Sequence, residues 1–314
     1  MNSYGLFVIA YILYSIAMVS YVLGSVTKLK IPRKANLVIL IIGVTAHTFG
    51  MLYRWREAGH APFANMYESL LFLAWVVAFG FLIVEIFKPV SGLGAIVLPI
   101  AWLVQGYALN VVPVAQIFAV LNSFTAAVGG KGGWFPPPTR EAEALMPALQ
   151  SYWLEIHVIT IFLAYGAFAL SFGTGLMYIW KNRKLNVHGD QPPIAGGSDA
   201  DPGLVALENL DQQTYWLVAI GFIMLGAGII FGAIWANETW GSYWSWDPKE
   251  TWSLITWLVY LGFLHMRLVS KWRGSKIAWL AVLGFVAVLL CYYGVNVIFP
   301  KYTEGGLHSY GSPQ

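Results

Sequence analysis

The feature that most constrains this chain is a series of long apolar stretches that recur along most of its length. A helix needs roughly 20 apolar residues to cross about 30 Å of hydrocarbon. Stretches of about that length run approximately over residues 5–26, 36–53, 67–87, 92–110, 153–180, 214–235, 252–270 and 276–298. Only 11% of the residues are charged, against roughly a quarter in soluble domains. The sequence predicts an all-α integral membrane protein of about eight transmembrane helices.

The Lys and Arg residues fall in short clusters between the apolar stretches. If eight spans alternate in direction, 12 of the 18 lie on one side, which the positive-inside rule makes cytoplasmic. Both termini, and the loop between helices six and seven, are then extracytoplasmic. The formal net charge of +3 is too small to suggest a nucleic-acid partner. The 12 residues are Lys28, Lys30, Arg33, Lys34, Lys88, Lys181, Arg183, Lys184, Arg267, Lys271, Arg273 and Lys276.

We treat residues 1–314 as a single polytopic membrane domain. It has an external loop at about 236–252, a flexible cytoplasmic linker at about 181–212 and an external tail at about 299–314. The outer segment 110–152 contains the runs Gly129-Gly-Lys-Gly-Gly133 and Pro136-Pro-Pro138, which are predicted to be irregular loop. The single cysteine, Cys291, excludes an internal disulfide and a Cys-based metal cage. Any thiol chemistry must therefore be supplied by another molecule.

The external loop is unusually rich in tryptophan, with the sequence Trp240-Gly-Ser-Tyr-Trp-Ser-Trp-Asp-Pro-Lys-Glu-Thr-Trp252. An interfacial aromatic belt is the simplest interpretation of one or two such residues, but it explains this density poorly. A planar aromatic surface suits a flat, polarisable ligand, because rings stack on it favourably. Heme and quinones have that character. The loop, with Trp240, Trp244, Trp246 and Trp252, is therefore a candidate ligand platform.

Asp247 has a local explanation as well as a functional one. Asp247-Pro248-Lys249-Glu250 places an acid at the N-cap, a proline at the first helical position and a glutamate at the third. This pattern predicts a helix start. By capping that helix, Asp247 fixes how the loop enters the seventh span.

Histidines are the candidate metal ligands. His157, near the outer end of span five, and His308, in the external tail, share a side with the tryptophan loop and could ligate heme iron as a pair. His265 and His47 lie within spans, where ionisable groups are functional candidates. For each histidine, a structural or solvated role is the alternative. A loop role is favoured for His60.

The tryptophan loop, with the following Leu254-Ile-Thr-Trp257, resembles the WWD signature of heme-handling membrane proteins. The segment from Gly59 to Glu68 and the tail Gly305-Gly-Leu-His308-Ser-Tyr also match the CcsA/ResC type of cytochrome c biogenesis protein, of system II. The resemblance implies that His157 and His308 ligate heme iron while Trp240, Trp244, Trp246, Asp247 and Trp252 hold the porphyrin. It also implies that His265 belongs to an intramembrane heme site. A CcsB/ResB-type membrane partner would supply the second ligand there, although a role for His47 stays open.

The resemblance further implies a reaction and its participants. Heme b, the transported substrate, is attached to the Cys-x-x-Cys-His motif of apocytochrome c, as in a cytochrome c heme lyase or synthase. The acceptor's thiols form thioethers with the heme vinyl groups, and a thioredoxin-like thiol reductant is expected to act on the acceptor. The lone cysteine agrees with this, because the reacting sulfurs belong to the acceptor. A bacterial plasma membrane is favoured over a thylakoid, with the active face extracytoplasmic.

Three other functions would explain parts of this pattern. A b-type electron carrier would favour two intramembrane histidine pairs, whereas only His47 and His265 lie within spans. A transporter would usually show paired helix breaks in two related halves, which we do not detect in this sequence. A membrane scaffold with an aromatic belt leaves the histidine placement unexplained.

Overall fold

The structure is a computed structural model that describes residues 2–27, 32–127, 138, 140–141, 149–185 and 201–298. Within them it is helical, with no strand. The elements are α1 Ser3–Val26, α2 Arg33–Ala58, α3 Met66–Phe87, α4 Gly94–Ala108, α5 Val112–Ala127, α6 Tyr152–Lys184, α7 Pro202–Trp240, α8 Pro248–Leu268, α9 Ser275–Leu289 and a π-helix, Leu290–Ile298.

Contacts between helix ends show that successive long helices run in alternating directions. At the tryptophan end, which carries the loop after Trp240, the Ser3 backbone N–H donates to the Glu57 carboxylate at 3.0 Å. There the Ser151 hydroxyl also donates to the Glu238 carboxylate at 2.5 Å. These contacts join the start of α1 to the end of α2, and the start of α6 to the end of α7.

The opposite end of the bundle, the basic end, holds two ion pairs. Arg33 at the start of α2 reaches Glu85 at the end of α3, with Nε and Oε1 2.9 Å apart. Arg267 near the end of α8 binds Asp211 on α7 through two contacts of 2.9 and 2.5 Å. Asp211 also accepts the Gly274 backbone N–H at 2.9 Å, which fixes the turn into α9. The described members of the predicted cytoplasmic cluster thus share one end.

The prediction of a helical multi-pass protein is confirmed, whereas the count of eight spans is not. Six described helices are long and apolar enough to cross a membrane: α1, α2, α3, α6, α7 and the continuous Ser275–Val295. Gly94–Ala108 and Val112–Ser123 are bent by 85° and together add a seventh if they form one span. The predicted seventh span, 252–270, is helical as α8 but lies outside that set.

Two segments predicted to lie between spans are partly helical in the structure. In the outer segment 110–152, residues Val112–Ala127 form α5, and the glycine run of that segment lies outside the described residues. The proline of α5 lies in the first helical turn, where a missing N–H costs little. Likewise, α7 begins at Pro202, with Asp201 as N-cap. Part of the stretch assigned to the cytoplasmic linker is therefore helical.

Helices α6 and α7 pack against each other through glycines of α7. A Cβ added at Gly228 would lie 2.6 Å from Ile161, and one at Gly232 would lie 2.7 Å from Nδ1 of His157. At contacts that short a neighbour must shift, so glycine at these positions lets α7 approach without displacing the Ile161 or His157 side chain. Small residues at helix interfaces allow this close approach in membranes. The same contact positions His157.

Candidate functional site

The loop after α7 is short and is held firmly at both ends. Gly241 closes α7 in the left-handed region, at φ 75°, and donates its N–H to the Asn237 carbonyl at 2.9 Å. Trp246, at φ 60°, is one of three non-glycine residues with positive φ among those described. Such a conformation is unfavourable for a bulky residue. It is maintained here by the hydrogen bonds of the next helix.

The predicted helix start at Asp247 is present as a complete capping box. Asp247 accepts the Lys249 backbone N–H at 2.8 Å, and Glu250 accepts the Asp247 N–H at 3.2 Å. Glu250 also accepts the Ser245 N–H at 2.7 Å. The carboxylate of Glu250 thereby ties the loop to the first turn of α8.

A cavity of about 130 Å³ lies behind this loop, between α6, α7, α8 and the π-helix. We call it the histidine–tryptophan cavity. Most of its wall is apolar or aromatic, with a few polar groups facing inward. Its lining side chains include His157, Phe162, Tyr165, Trp235, Tyr243, Trp244, Lys249, Cys291 and Tyr292.

His157 is the histidine that the fold brings to the tryptophan loop. Its Nδ1 lies 2.7 Å from the Gly228 carbonyl oxygen of α7. A carbonyl can only accept, so Nδ1 carries the proton and the lone pair belongs to Nε2. Metal-bound histidines usually have this arrangement, in which the second ring nitrogen donates to a carbonyl or carboxylate. The geometry therefore suits His157 for ligation through Nε2.

The predicted tryptophans do not form one continuous platform. Trp244 lines the cavity, whereas Trp246 is 69% exposed and meets Trp244 edge-on at 5.7 Å between ring centroids. Trp240 packs edge-on against Trp235 at 4.8 Å. Trp252 lies on α8, one turn beyond the loop, and is partly buried. Each tryptophan therefore has a different environment.

The other predicted ligands lie apart from His157. His308 lies outside the residues that the structure describes. His265 is exposed on α8, toward the basic end. His47 is fully buried on α2, with Nδ1 3.4 Å from the Tyr14 hydroxyl. His60 has Nδ1 2.9 Å from the Ala61 carbonyl oxygen and lines a separate cavity of about 550 Å³.

Several cavity residues were missed by the sequence analysis. Tyr165 of α6 donates its hydroxyl hydrogen to the sulfur of Cys291 at 3.4 Å, and Tyr292 lies within 2.9 Å of the Ser69 hydroxyl. The π-helix brings Cys291 and Tyr292 to the cavity, and π-helical segments are often found at functional sites. No pattern in the sequence distinguished them from ordinary span residues. Lys249, by contrast, stood within the tryptophan-rich motif.

Comparisons with known proteins agree on one family. The model of the family described as "Cytochrome C assembly protein" matches residues 63–301. A cytochrome c biogenesis protein CcsA of Prochlorococcus marinus (strain MIT 9301) is 37% identical over 92% of this chain and 88% of its own length. The CcsA of Pyropia yezoensis is 34% identical, covering 98% and 95% respectively.

A solved structure shares the fold. The cytochrome c heme lyase CcmF superposes with a TM-score of 0.64 at 17% sequence identity, over 93% of this chain. This chain spans 47% of that one. The likeness therefore concerns the arrangement of helices.

The apolar helices define a multi-pass membrane protein, and a cavity lined by histidine and tryptophan lies at one end of the bundle. The family match and the relatives are more specific. The chain belongs to the cytochrome c assembly protein family, as a CcsA-type cytochrome c biogenesis protein. Its relatives include plastid as well as bacterial proteins, so a bacterial plasma membrane stays a prediction.

Proposed function

We propose that this chain is the heme-presenting component of a cytochrome c synthase. It would hold heme b at the histidine–tryptophan cavity on the extracytoplasmic side, for attachment to an apocytochrome c. A CcsB/ResB-type partner would complete the heme lyase, and a thioredoxin-like reductant would keep the acceptor's cysteines as thiols. The family to which the chain belongs supports the role in cytochrome c biogenesis.

The observation that carries this proposal is the placement of His157. Its imidazole lines the same cavity as Trp244, and its Nδ1 is held by the Gly228 carbonyl. One wall thus offers an axial nitrogen for iron, and another offers an aromatic ring for the porphyrin. We propose His308 as the second axial ligand. Its motif in the tail matches the CcsA/ResC pattern.

A whole porphyrin requires more space than the cavity has in this structure. About 130 Å³ accommodates several water molecules but not a macrocycle. Heme binding therefore requires the loop between Gly241 and Asp247 to move outward. The capping box would act as the fixed end of that movement, because it anchors the loop to α8.

His265 supports the proposed partner. It is exposed, and Leu258, Leu261 and Leu268 on the same helix are each at least 40% exposed. These spacings of three and four residues place the four side chains along one side of α8. A histidine facing lipid is unfavourable. A partner helix covering this side would remove that cost and could contribute the second ligand of an intramembrane heme.

The proposed reaction balances without an added oxidant. Each acceptor thiol adds across a heme vinyl group, so that sulfur bonds to one carbon and a hydrogen ends on the other. The acceptor's histidine then replaces one axial ligand. The contribution of this chain is to hold heme and acceptor together, whereas the porphyrin carries the electronic chemistry. We assign no general acid or base to this chain.

The test is to purify the chain with and without a co-expressed CcsB/ResB-type partner, and to record heme content and reduced-minus-oxidised spectra. We expect His157→Ala and His308→Ala each to lower heme content, with imidazole restoring it by replacing the lost ligand. His188→Ala is the matched control, since His188 belongs to the predicted cytoplasmic linker. Its heme content should equal that of the wild type.

Two results would contradict the proposal. Stoichiometric heme that survives both substitutions would place the ligands within the membrane and favour the electron carrier. Absence of heme even with the partner would mean that the tryptophan loop is an interfacial aromatic belt and not a heme site. His265→Ala distinguishes the proposed intramembrane site from the site at His157. It should alter the spectrum of an intramembrane heme and leave unchanged the heme whose binding imidazole restores in His157→Ala.

A further inference from the structure

Lys249 is a half-buried cation in an unfavourable position for the fold. It is the second residue of α8, directly after Pro248, and its side chain lines the histidine–tryptophan cavity. The N-terminus of a helix carries partial positive charge, so a cation in the first turn is disfavoured. Its apolar surroundings disfavour the charge as well.

The charge on Lys249 is nevertheless retained near neutral pH. Burial among apolar side chains lowers its pKa to about 8, while the nearby Asp247 and Cys291 oppose the shift. At pH 7 the ammonium form therefore predominates. A positive charge therefore faces the cavity from the first turn of α8.

The acidic groups beside Lys249 build the start of α8, and the carboxylate of Asp247 also attracts the Lys249 ammonium. Glu250 accepts hydrogen bonds from the backbone N–H groups of Ser245 and Asp247, and so builds the loop. One carboxylate oxygen of Asp247 accepts the backbone N–H of Lys249. Among the residues of the described chain that line the cavity, Lys249 is the only lysine or arginine.

We propose that the ammonium of Lys249 binds a carboxylate of the porphyrin, that is, a heme propionate. This inference rests on the proposed function. The ion pair formed on binding would add to the attraction of Asp247 in stabilising a cation at this helix terminus. Because the propionates and the vinyl groups lie toward opposite edges of heme, a propionate bound at Lys249 directs the vinyl edge away from the start of α8. Lys249 thus sets which edge of heme faces the acceptor.

The experiment compares two ligands on the full chain, co-purified with its partner. Iron protoporphyrin IX and its dimethyl ester are titrated separately, and the Soret band is followed. The ester retains the ring, the iron and the vinyl groups but has no carboxylates. We expect the wild type to bind the free acid about tenfold more tightly, as for a hydrogen bond to a charged group.

Variants then assign the preference to one residue. Lys249→Met should remove the preference by weakening binding of the free acid while leaving that of the ester unchanged, and Lys249→Arg should retain it. Lys276→Met, at the basic end, is the matched control and should behave as the wild type. Because the wild-type comparison needs no substitution, a variant that folds poorly does not prevent the test.

The outcomes separate this inference from the proposed function. Equal binding of acid and ester by the wild type, or a preference that survives in Lys249→Met, would overturn the role of Lys249 while leaving heme binding intact. If neither ligand gives a Soret band that depends on His157, both the role of Lys249 and the proposed function are overturned.

Discussion

At the scale of single residues, the site depends on a few contacts that leave little room for change. His157 is oriented by one carbonyl oxygen on α7, and it packs directly over Gly232. Trp246 occupies a left-handed conformation because the capping box of Asp247 fixes the residues that follow it. Substitutions at these positions should therefore affect heme binding by changing the orientation of the His157 imidazole or the path of the tryptophan loop.

Gly232→Ala tests whether the approach of α7 sets the orientation of His157. The added methyl group would lie 2.7 Å from Nδ1, which forces the imidazole or the helix to move. We expect heme content to fall several-fold and the Soret band to shift, since a small displacement of a ligand carries a large cost. Gly262→Ala is the control, because a Cβ there meets no atom within 4 Å. Equal heme content in both variants would contradict this role.

At the scale of the elements, α8 differs from the other long helices. It starts in the capping box, packs mainly against α7, α9 and the π-helix, and leaves one side exposed. That side carries His265 and open space at Gly262. Helix α8 is not among the described helices that are apolar enough to cross a membrane. This agrees with a helix that is covered by protein rather than by lipid.

A bulky residue on α8 should disrupt assembly without disrupting the chain. Gly262→Trp projects into open space, so we expect the variant to fold and to lose co-purification with the CcsB/ResB-type partner. Gly24→Trp places the same side chain at another open glycine, near the end of α1. It should retain the partner. Loss of the partner in both variants, or in neither, would mean that this side of α8 is not the docking surface.

At the scale of the whole molecule, the described helices form two groups. One contains α1 to α5, with His47 buried against Tyr14. The other contains α6 to α9 and the π-helix and surrounds the histidine–tryptophan cavity. His47 and His265 lie in different groups, on helices that pack against different neighbours. This separation argues against their ligating one heme as a pair.

The orientation of the bundle can be tested with its single cysteine removed. In a Cys291→Ala background, Ser242→Cys at the tryptophan end should react with a membrane-impermeant maleimide on intact cells. Arg273→Cys at the basic end should react only after permeabilisation, because the positive-inside rule places that end in the cytoplasm. Both original side chains are exposed. The reverse labelling pattern would contradict the proposed extracytoplasmic site.

The sequence by itself determined the features that depend on neighbours along the chain. The helical stretches and the capping box at Asp247 follow from apolar length and from residues three positions apart. The bend between α4 and α5 was not predicted, because the angle between two successive helices depends on how they pack against the rest of the fold. The tryptophan motif located the loop, but it did not show that Trp244 faces inward while Trp246 faces solvent.

Only the tertiary structure decided which side chains share a cavity. His157 and Trp244 are far apart in sequence, and their meeting depends on glycines that let α7 approach α6. Tyr292 and Cys291 reach the same cavity because the π-helix changes which residues face inward. Lys249 belongs to the tryptophan motif, but the sequence did not show that it lines the same cavity as His157. Such contacts arise between helices, where the apolar pattern of each helix alone does not specify its neighbour.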